Sequence, residues 1–387
     1  MNRLRVYIDI AHPAYAHALR YFITQMKERG HQVLVSARDK DITLALLNSW
    51  GIDYICRGRK NHDPGGRQNE KKPAPVHWWK GAVSLAGKMT DWISVTARLL
   101  PVVKRFSPDV VISYSSYHAA LIGRLLGKPV LTFEDTEHVQ FLHTVNRLLS
   151  TRMVTPACFE KDFGRDHIRF EGYKELASLH PARFVPLPLP QAVQKPYILI
   201  RFVSWMAFHD RGHQGMSDSM KCTVAERLQE FGSVYISSEK PLLPWMEKFR
   251  MPVDPEMGHS VLAGASLLFA ESASMAAEAA VLGVPAIYID NTGRGYTREL
   301  EGKYKLMFGF GEDDSSVKRA LDKAVALLGD PGVLPEWQKR RKKMLAGKVD
   351  LTAWMTELAE DAAAGNLPRS SRSAVCKNRV ASGSQDI

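Results

Sequence analysis

The stretch ESASMAAEAAVLGVPAIYID, residues 271–290, decides how the chain is read. It follows the apolar run Leu267–Ala270, which suits a strand. A turn of small residues comes next, then a short alanine-rich helix, a stop at Gly283 with Pro285 behind it, and a second apolar strand. The helix carries one carboxylate, Glu278, and opens on Ser272 and Ser274. In a parallel α/β sheet, ligands sit beyond the carboxyl ends of the strands. The free backbone N–H groups of Ser272, Ala273, Ser274 and Met275 would point at such a ligand, and the helix dipole there favours an anion. Glu278 lies four residues after Ser274 and so shares its helix face. A carboxylate in that place can accept two ribose hydroxyls while the turn holds a diphosphate. The same residues also suit a plain helix, with Ser272 or Ser274 as its cap and Glu278 as a solvated charge.

Outward from this unit, strands and helices alternate. Leu4–Ile10, Gln32–Ala37, Ile52–Cys56, Asp109–Ser113 and Pro129–Glu134 read as strands. Helical patterns cover Tyr15–Arg29, Ile42–Trp50, a long stretch over 80–105, and Ala119–Leu126. Residues 59–75 are polar and contain Pro64-Gly65-Gly66, a loop. Prolines crowd the window His180–Pro196. Alternation then resumes with Tyr197–Phe202, a helix near 217–231, Ser233–Ser237, a helix near 243–249, Ser266–Ala270, and two further helices near 315–329 and 335–360. The fold expected is α/β, with two Rossmann-like doubly wound parallel sheets facing a cleft. The expected domains are 1–185, a proline-rich linker at 186–196, 197–364, and a disordered basic tail at 365–387.

The 387 residues are 45% hydrophobic and 24% charged, as in soluble globular proteins. The formal net charge of +11 favours anionic partners, although part of it is local, in the run Lys339–Lys343 and the tail. The four cysteines are scattered and form no CxxC, which argues against a disulfide framework or a cysteine metal site. Met1 leads straight into a strand, and no apolar run has the ~18 residues that a membrane span needs. A cytoplasmic protein is expected. His77-Trp78-Trp79-Lys80 sets tryptophans beside a base, which suits either a bilayer interface or a core.

Other strand ends carry chemistry. Ala11-His12-Pro13, with Tyr15 and His17, follows the first strand, whose end holds Asp9. His12 or His17 could serve as general base for an acceptor hydroxyl, or both could be hydrogen-bonded turn residues. Phe133-Glu134-Asp135-Thr136-Glu137-His138 packs three carboxylates and a histidine at another strand end. Glu134 and Asp135 could transfer protons or orient a sugar, or Asp135 could cap the next helix. The spacing is not that of a metal site. Ser115, Ser116 and His118 precede a helix, and with His138 they are candidates for the acceptor side. Arg201 closes a strand in the second half and could pair with a diphosphate, while Trp205, Phe208 or His209 beyond it could stack on a base or belong to the core. Asn291–Tyr296 is glycine-rich and basic, a weak phosphate-loop pattern.

The run S-A-S-M-A-A-E-A-A-V-L-G-V-P-A from Ser272 resembles the nucleotide-binding segment of GT-B glycosyltransferases. Those include the lipid-linked N-acetylglucosaminyltransferase of peptidoglycan synthesis, and UDP-N-acetylglucosamine 2-epimerase shares the fold. Further segments are similar to the family catalogued as domain of unknown function 354: Y-I-D-I-A-H-P-A-Y-A-H at 7–17, L-T-F-E-D-T-E-H at 131–138, E-G-Y-K-E-L-A at 171–177 and R-F-V-S-W-M-A-F-H-D at 201–210. The resemblance implies that Glu278 holds the ribose of a nucleotide sugar. The turn departs from the pattern in having serine and alanine where relatives often have glycines.

The leading expectation is a nucleotide-sugar-dependent glycosyltransferase in surface polysaccharide or glycolipid synthesis. The nucleotide sugar is substrate, and no cofactor or metal is expected. A lipid-linked or polysaccharide acceptor would enter against His12, His17 and the 115–118 turn, with peripheral membrane contact. The departing diphosphate would be met by the helix start and Arg201. The alternative is an epimerase or hydrolase acting on the nucleotide sugar without an acceptor. Nucleic-acid binding is disfavoured, because the bases do not interleave with aromatics and no recognition-module signature is present.

Overall fold

The computed structural model describes residues 3–58, 79–203, 213–238 and 241–368. Seven strands form the first sheet: β1 (Arg5–Ile10), β2 (Gln32–Ala37), β3 (Ile55–Cys56), β4 (Val110–Tyr114), β5 (Val130–Phe133), β6 (Arg152–Pro156) and β7 (His167–Phe170). Every pairing is parallel, in the spatial order 3-2-1-4-5-6-7. The second sheet has five parallel strands, β8 (Tyr197–Phe202), β9 (Ser233–Ser238), β10 (Leu267–Ala270), β11 (Ala286–Ile289) and β12 (Met307–Phe310), in the order 12-11-10-8-9. Each sheet therefore reverses its winding once, between β1 and β4 and between β8 and β10. Those switch points open a crevice at the strand ends.

The central strands β1, β4, β5, β8, β10 and β11 are buried on both faces, so they read as near-continuous apolar runs rather than alternating ones. Helices α1 (Pro13–Glu28), α2 (Thr43–Ser49), α3 (Trp79–Phe106), α4 (Tyr117–Leu125), α5 (Gln140–Leu149) and α6 (Leu176–Leu179) accompany the first sheet. Helices α7 (Asp218–Leu228), α8 (Gly258–Gly264), α9 (Ala273–Leu282), α10 (Gly295–Gly302), α11 (Asp314–Leu328), α12 (Val333–Leu345) and α13 (Leu351–Ala363) complete the chain. Among the described residues, no helix is long and apolar enough to cross a membrane.

The unit that opened the reading behaves as its residues dictate. Ser272 caps α9, its Oγ accepting from the Met275 N–H at 3.3 Å. Gly283 ends the helix with φ +77°, a conformation that suits glycine. Between the caps only Ser274, Met275 and Glu278 escape burial. The alanines are there because α8, α10, α12 and strands β10 and β11 all press on this helix.

Several elements differ from the sequence expectation. The third strand covers only Ile55–Cys56. The segment near 243–249 is a 3-10 helix over Pro244–Phe249. The helix expected over 335–360 is two, because Gly347 and the α13 cap Asp350 interrupt it. That second helix, α13, was placed with the second domain, yet it packs on α1, α6 and β4 of the first. It is fastened there by Arg183 on Asp350 at 2.8 Å and Arg29 on Glu360 at 2.9 Å. Strands β6, β7 and β12 and helices α8 and α10 have no counterpart in the expectation, and the helix after Asp135 starts only at Gln140, with Val139 rather than Asp135 at its cap. The loop 59–75, the aromatics Trp205, Phe208 and His209, the side chains of His77–Lys80 and the tail from 369 onward fall outside the described residues.

The two domains touch along the cleft rim. Glu137 Oε1 accepts the Gly295 N–H at 3.0 Å, and the imidazole of His138 donates to the Gly293 carbonyl at 2.8 Å. Glu160 holds Arg298 through two bonds at 2.6 and 2.7 Å. A Cβ at Gly295 would land on the Cys158 carbonyl and 2.7 Å from Glu137 Oε1. Gly295→Ala is therefore expected to lower stability by about 1–3 kcal/mol through overpacking. Urea unfolding reads this directly, and an unchanged midpoint would show that the domains do not meet at Gly295.

Candidate active site

The carboxyl ends of β4 and β5 build the centre of the cleft. Ser115 follows β4 with φ +51°, a left-handed turn that swings its side chain toward β5. Its Oγ donates to Glu134 Oε2 at 2.5 Å. The other oxygen of Glu134 accepts the N–H groups of Asp135 and Thr136 at 3.1 and 3.2 Å. Burial, and then the neighbouring Asp135, push the Glu134 carboxyl up to about 7, against the pull of these donors. Behind it, burial lowers His143 to about 4, so the ring is neutral and donates to the Thr136 carbonyl at 2.9 Å.

Asp135 faces a different partner. Lys174, carried on the segment after β7, places its Nζ 2.6 Å from Asp135 Oδ2 and 3.5 Å from Glu175 Oε1. The same ammonium donates across the cleft to Ser274 Oγ at 3.4 Å, in the first turn of α9. Burial opposes its charge, but Asp135 and then Glu175 outweigh that and hold its pKa well above the ordinary value. Burial pushes Glu175 up to about 7, with Lys174 opposing and Asp135 adding to the rise. Glu278 also contributes to that rise, which ties the polar face of α9 to this cluster.

Glu278 Oε1 lies 3.4 Å from His259 Nε2 on α8. The His259 ring meets His17, on α1 of the other domain, with centroids 4.3 Å apart. Burial, and then His259 and Arg20, hold the His17 pKa well below its ordinary value. Ser274 and Glu278 thus share a face, as their spacing requires, and that face looks onto the first domain.

The remaining candidates are placed more peripherally. His12 caps α1, its Nδ1 accepting the Ala14 N–H at 3.2 Å. Ser116 caps α4 and donates its hydroxyl to Asp9, which also takes Ser36 Oγ at 2.6 Å and faces Arg57 at 3.3 Å. His118 is buried against Tyr117, 4.4 Å between ring centroids. His138 is committed to Gly293 across the domain contact. Arg201 ends beside Ala270 in register and donates to Ser237 Oγ at 2.8 Å. Ala273 and Met275 lie in the first turn of α9, and the Met275 N–H, expected to be a free donor, is taken by the capping Ser272 Oγ.

Sequence reading gave no role to Lys174, Glu175 or His259. Lys174 and Glu175 lie within the quoted segment E-G-Y-K-E-L-A, and their signal was a charged pair following a strand that went unrecognised. A cluster at the ends of β11 and β12 was missed too. His213 Nδ1 is 3.4 Å from Asp290 Oδ1 and is hydrogen-bonded to Glu312 Oε1. These three offer ligand atoms within 4.8 Å of one another. Their oxygens already accept from Gln214, Gly215, Thr292 and Arg294, so the group is satisfied as an internal network.

The fold is that of GT-B glycosyltransferases and UDP-N-acetylglucosamine 2-epimerases. A solved UDP-N-acetylglucosamine 2-epimerase superposes with a TM-score of 0.63 at 14% identity, covering 96% of this chain and 100% of that one. The glycosyltransferase VinC in complex with dTDP gives 0.61 at 15% identity, covering 93% and 99%. MnaA of S. aureus with UDP gives 0.62 at 9% identity, covering 94% and 98%. No protein-family model and no curated protein matches the sequence.

The two raised carboxylates set a pH dependence. Glu134 and Glu175 sit near 7 in the folded chain against 4.5 ordinarily, so between those values the folded state binds more protons than the unfolded one. Their share of the stability is expected to fall as pH rises from about 4.5 to about 7, by up to ~3 kcal/mol for each group, while His143 and His17, whose pKa values burial lowers, contribute with the opposite sign. Glu134→Gln and Glu175→Gln should each remove that share, so that stability changes more favourably with rising pH than in wild type, as urea titrations at several pH values would read. A slope identical to wild type in both variants would contradict the assignment.

Proposed function

We propose that the protein is a nucleotide-sugar-dependent glycosyltransferase, acting on a polysaccharide or glycolipid acceptor. The observation that carries this is Glu134, a buried carboxylate poised near 7 at the cleft, whose neighbour Asp135 holds an ammonium that reaches the start of α9. A general base works best with a pKa near the working pH.

In this reading the diphosphate of the donor lies at the first turn of α9, by Ser274, where backbone N–H groups and Lys174 meet its charge. Glu278 accepts the ribose hydroxyls, with His259 behind it fixing the carboxylate. Glu134 takes the proton of the acceptor hydroxyl as that oxygen bonds to the anomeric carbon. The bond from that carbon to the diphosphate breaks, and the charge it leaves is met by Lys174 and the positive end of α9. Asp135, engaged by Lys174, acts as counter-ion to the ammonium rather than as base. The neighbours solved with dTDP and UDP support a nucleotide-linked donor.

A second reading rests on Glu175, which also sits near 7. Two such carboxylates suit proton removal and return on the sugar itself, as in an epimerase or hydrolase. Incubation with a nucleotide sugar alone separates the two, since conversion without acceptor favours the second reading.

For the transferase, kcat/KM is expected to rise with pH through about 7, because the base works deprotonated. Glu134→Gln is expected to cut kcat by ~100-fold or more while nucleotide-sugar binding persists. A flat profile together with an active Glu134→Gln variant would remove Glu134 from the reaction. Glu278→Ala should weaken nucleotide binding by ~10-fold or more in calorimetry, as loss of hydrogen bonds to a charged group does. Unchanged affinity would place the ribose elsewhere.

A further inference from the structure

Helix α5 is built inside out. Its fully buried residues are polar, His143 and Asn146, while Phe141 and Leu148 stand 63% and 75% exposed. Gln140, Phe141, Thr144, Arg147 and Leu148 form its outer stripe. A surface helix ordinarily turns its apolar side to the core.

The helices beside it continue the pattern. α4 packs against both α3 and α5. Leu149 of α5 joins the apolar cluster made by Val95, Leu99 and Val103 of α3 with Ala119, Ala120 and Ile122 of α4, so all three helices cover one face of the first sheet. Leu125 at the end of α4 is exposed, as are Ile93 and Val102 on α3. Between 92 and 106, 117 and 128, and 140 and 149 there is no Asp or Glu, whereas Arg98, Lys104, Arg105, Arg124, Lys128 and Arg147 occur there. Among the described residues, Lys104, Arg105, Arg124, Lys128 and Arg147 have no ion-pair partner.

We propose that this face of α3, α4 and α5 docks on an anionic lipid bilayer. Exposed apolar side chains among unneutralised cations are what an interfacial surface requires: the chains enter the boundary of the acyl region and the cations meet the phosphate layer. A second copy of the chain fits poorly, because a two-fold contact would set this uniformly basic face against itself. A nucleic acid would meet the cations but give Leu125 and Leu148 nothing to bury against. The docking is independent of which reaction the cleft performs.

The test is sedimentation of the full chain with vesicles of phosphatidylglycerol mixed into phosphatidylcholine, against vesicles of phosphatidylcholine alone. Phe141→Ser/Leu148→Ser and Lys104→Glu/Arg105→Glu alter the face, and Lys342→Glu/Lys343→Glu alters the basic helix α12 as control. Circular dichroism verifies that each variant folds. Binding to the anionic vesicles is expected for wild type and the α12 variant, with a loss of at least ~10-fold in both surface variants. The proposal is overturned if wild type binds neither vesicle, binds both equally, or self-associates through this face instead. It is overturned equally if the surface variants bind as wild type does, or if only the α12 variant loses binding.

Discussion

The cleft depends on one buried ammonium. Lys174 lies among Asp135, Glu175 and Ser274, out of water, and its field reaches both domains. A buried charge is tolerated only when paired, and breaking such a pair leaves its partner uncompensated at a cost of ~3–5 kcal/mol. Asp135 neutralises Lys174, and this leaves Glu134 next to a charged carboxylate inside a dry strand end. Burial first, and then Asp135, push Glu134 toward neutrality, while Asp135 is held in an ion pair. Two adjacent carboxylates thus differ, one buried and raised, the other paired with the cation that lies between them and α9.

The same ammonium explains why α9 faces as it does. Its flanks are alanine because seven elements pack on it, and the polar stripe left over, Ser274 and Glu278, turns to Lys174 and His259. A glutamate among alanines therefore marks the one side of the helix that is not core. The domain contact at Glu137, Gly295, Cys158 and His138 brings that stripe against the first domain. Sequence distance between the two halves of the site exceeds a hundred residues, as between Asp135 and Ser274, so only the docking of the domains assembles it.

Much of this architecture was legible in the chain. Apolar runs bounded by turns located β1, β4, β5, β8, β10 and β11, because strands buried on both faces leave a near-unbroken hydrophobic signature, and the β-branched and aromatic residues of β2 and β9 located those two partly exposed strands. The α9 unit was read correctly from its cap residues, Gly283 and Pro285. β6 and β7 escaped because RMVTP and HIRF interleave polar and charged residues with apolar ones, and β7 is four residues long. The placement of α13 on the first domain escaped because nothing local encodes it. It rests on Arg29, Arg183 and the Thr352 bond to the Ala177 carbonyl, contacts that span more than a hundred residues. Within the site, Glu134 and Glu278 stood out by their positions at a strand end and on an apolar helix. Lys174 and Glu175 did not, since their meaning comes from burial, which a sequence reports only through the strand preceding them.

The central claim is that the Lys174 ammonium and the start of α9 together hold the diphosphate of a nucleotide-linked donor. Calorimetry with a nucleoside and its diphosphate, on wild type and on a folded Lys174→Met variant, tests it most directly. The account predicts that the variant loses ~10- to 100-fold in affinity for the diphosphate, the worth of a charge-assisted bond, with the nucleoside unaffected. Equal affinity of wild type and variant for the diphosphate would contradict it.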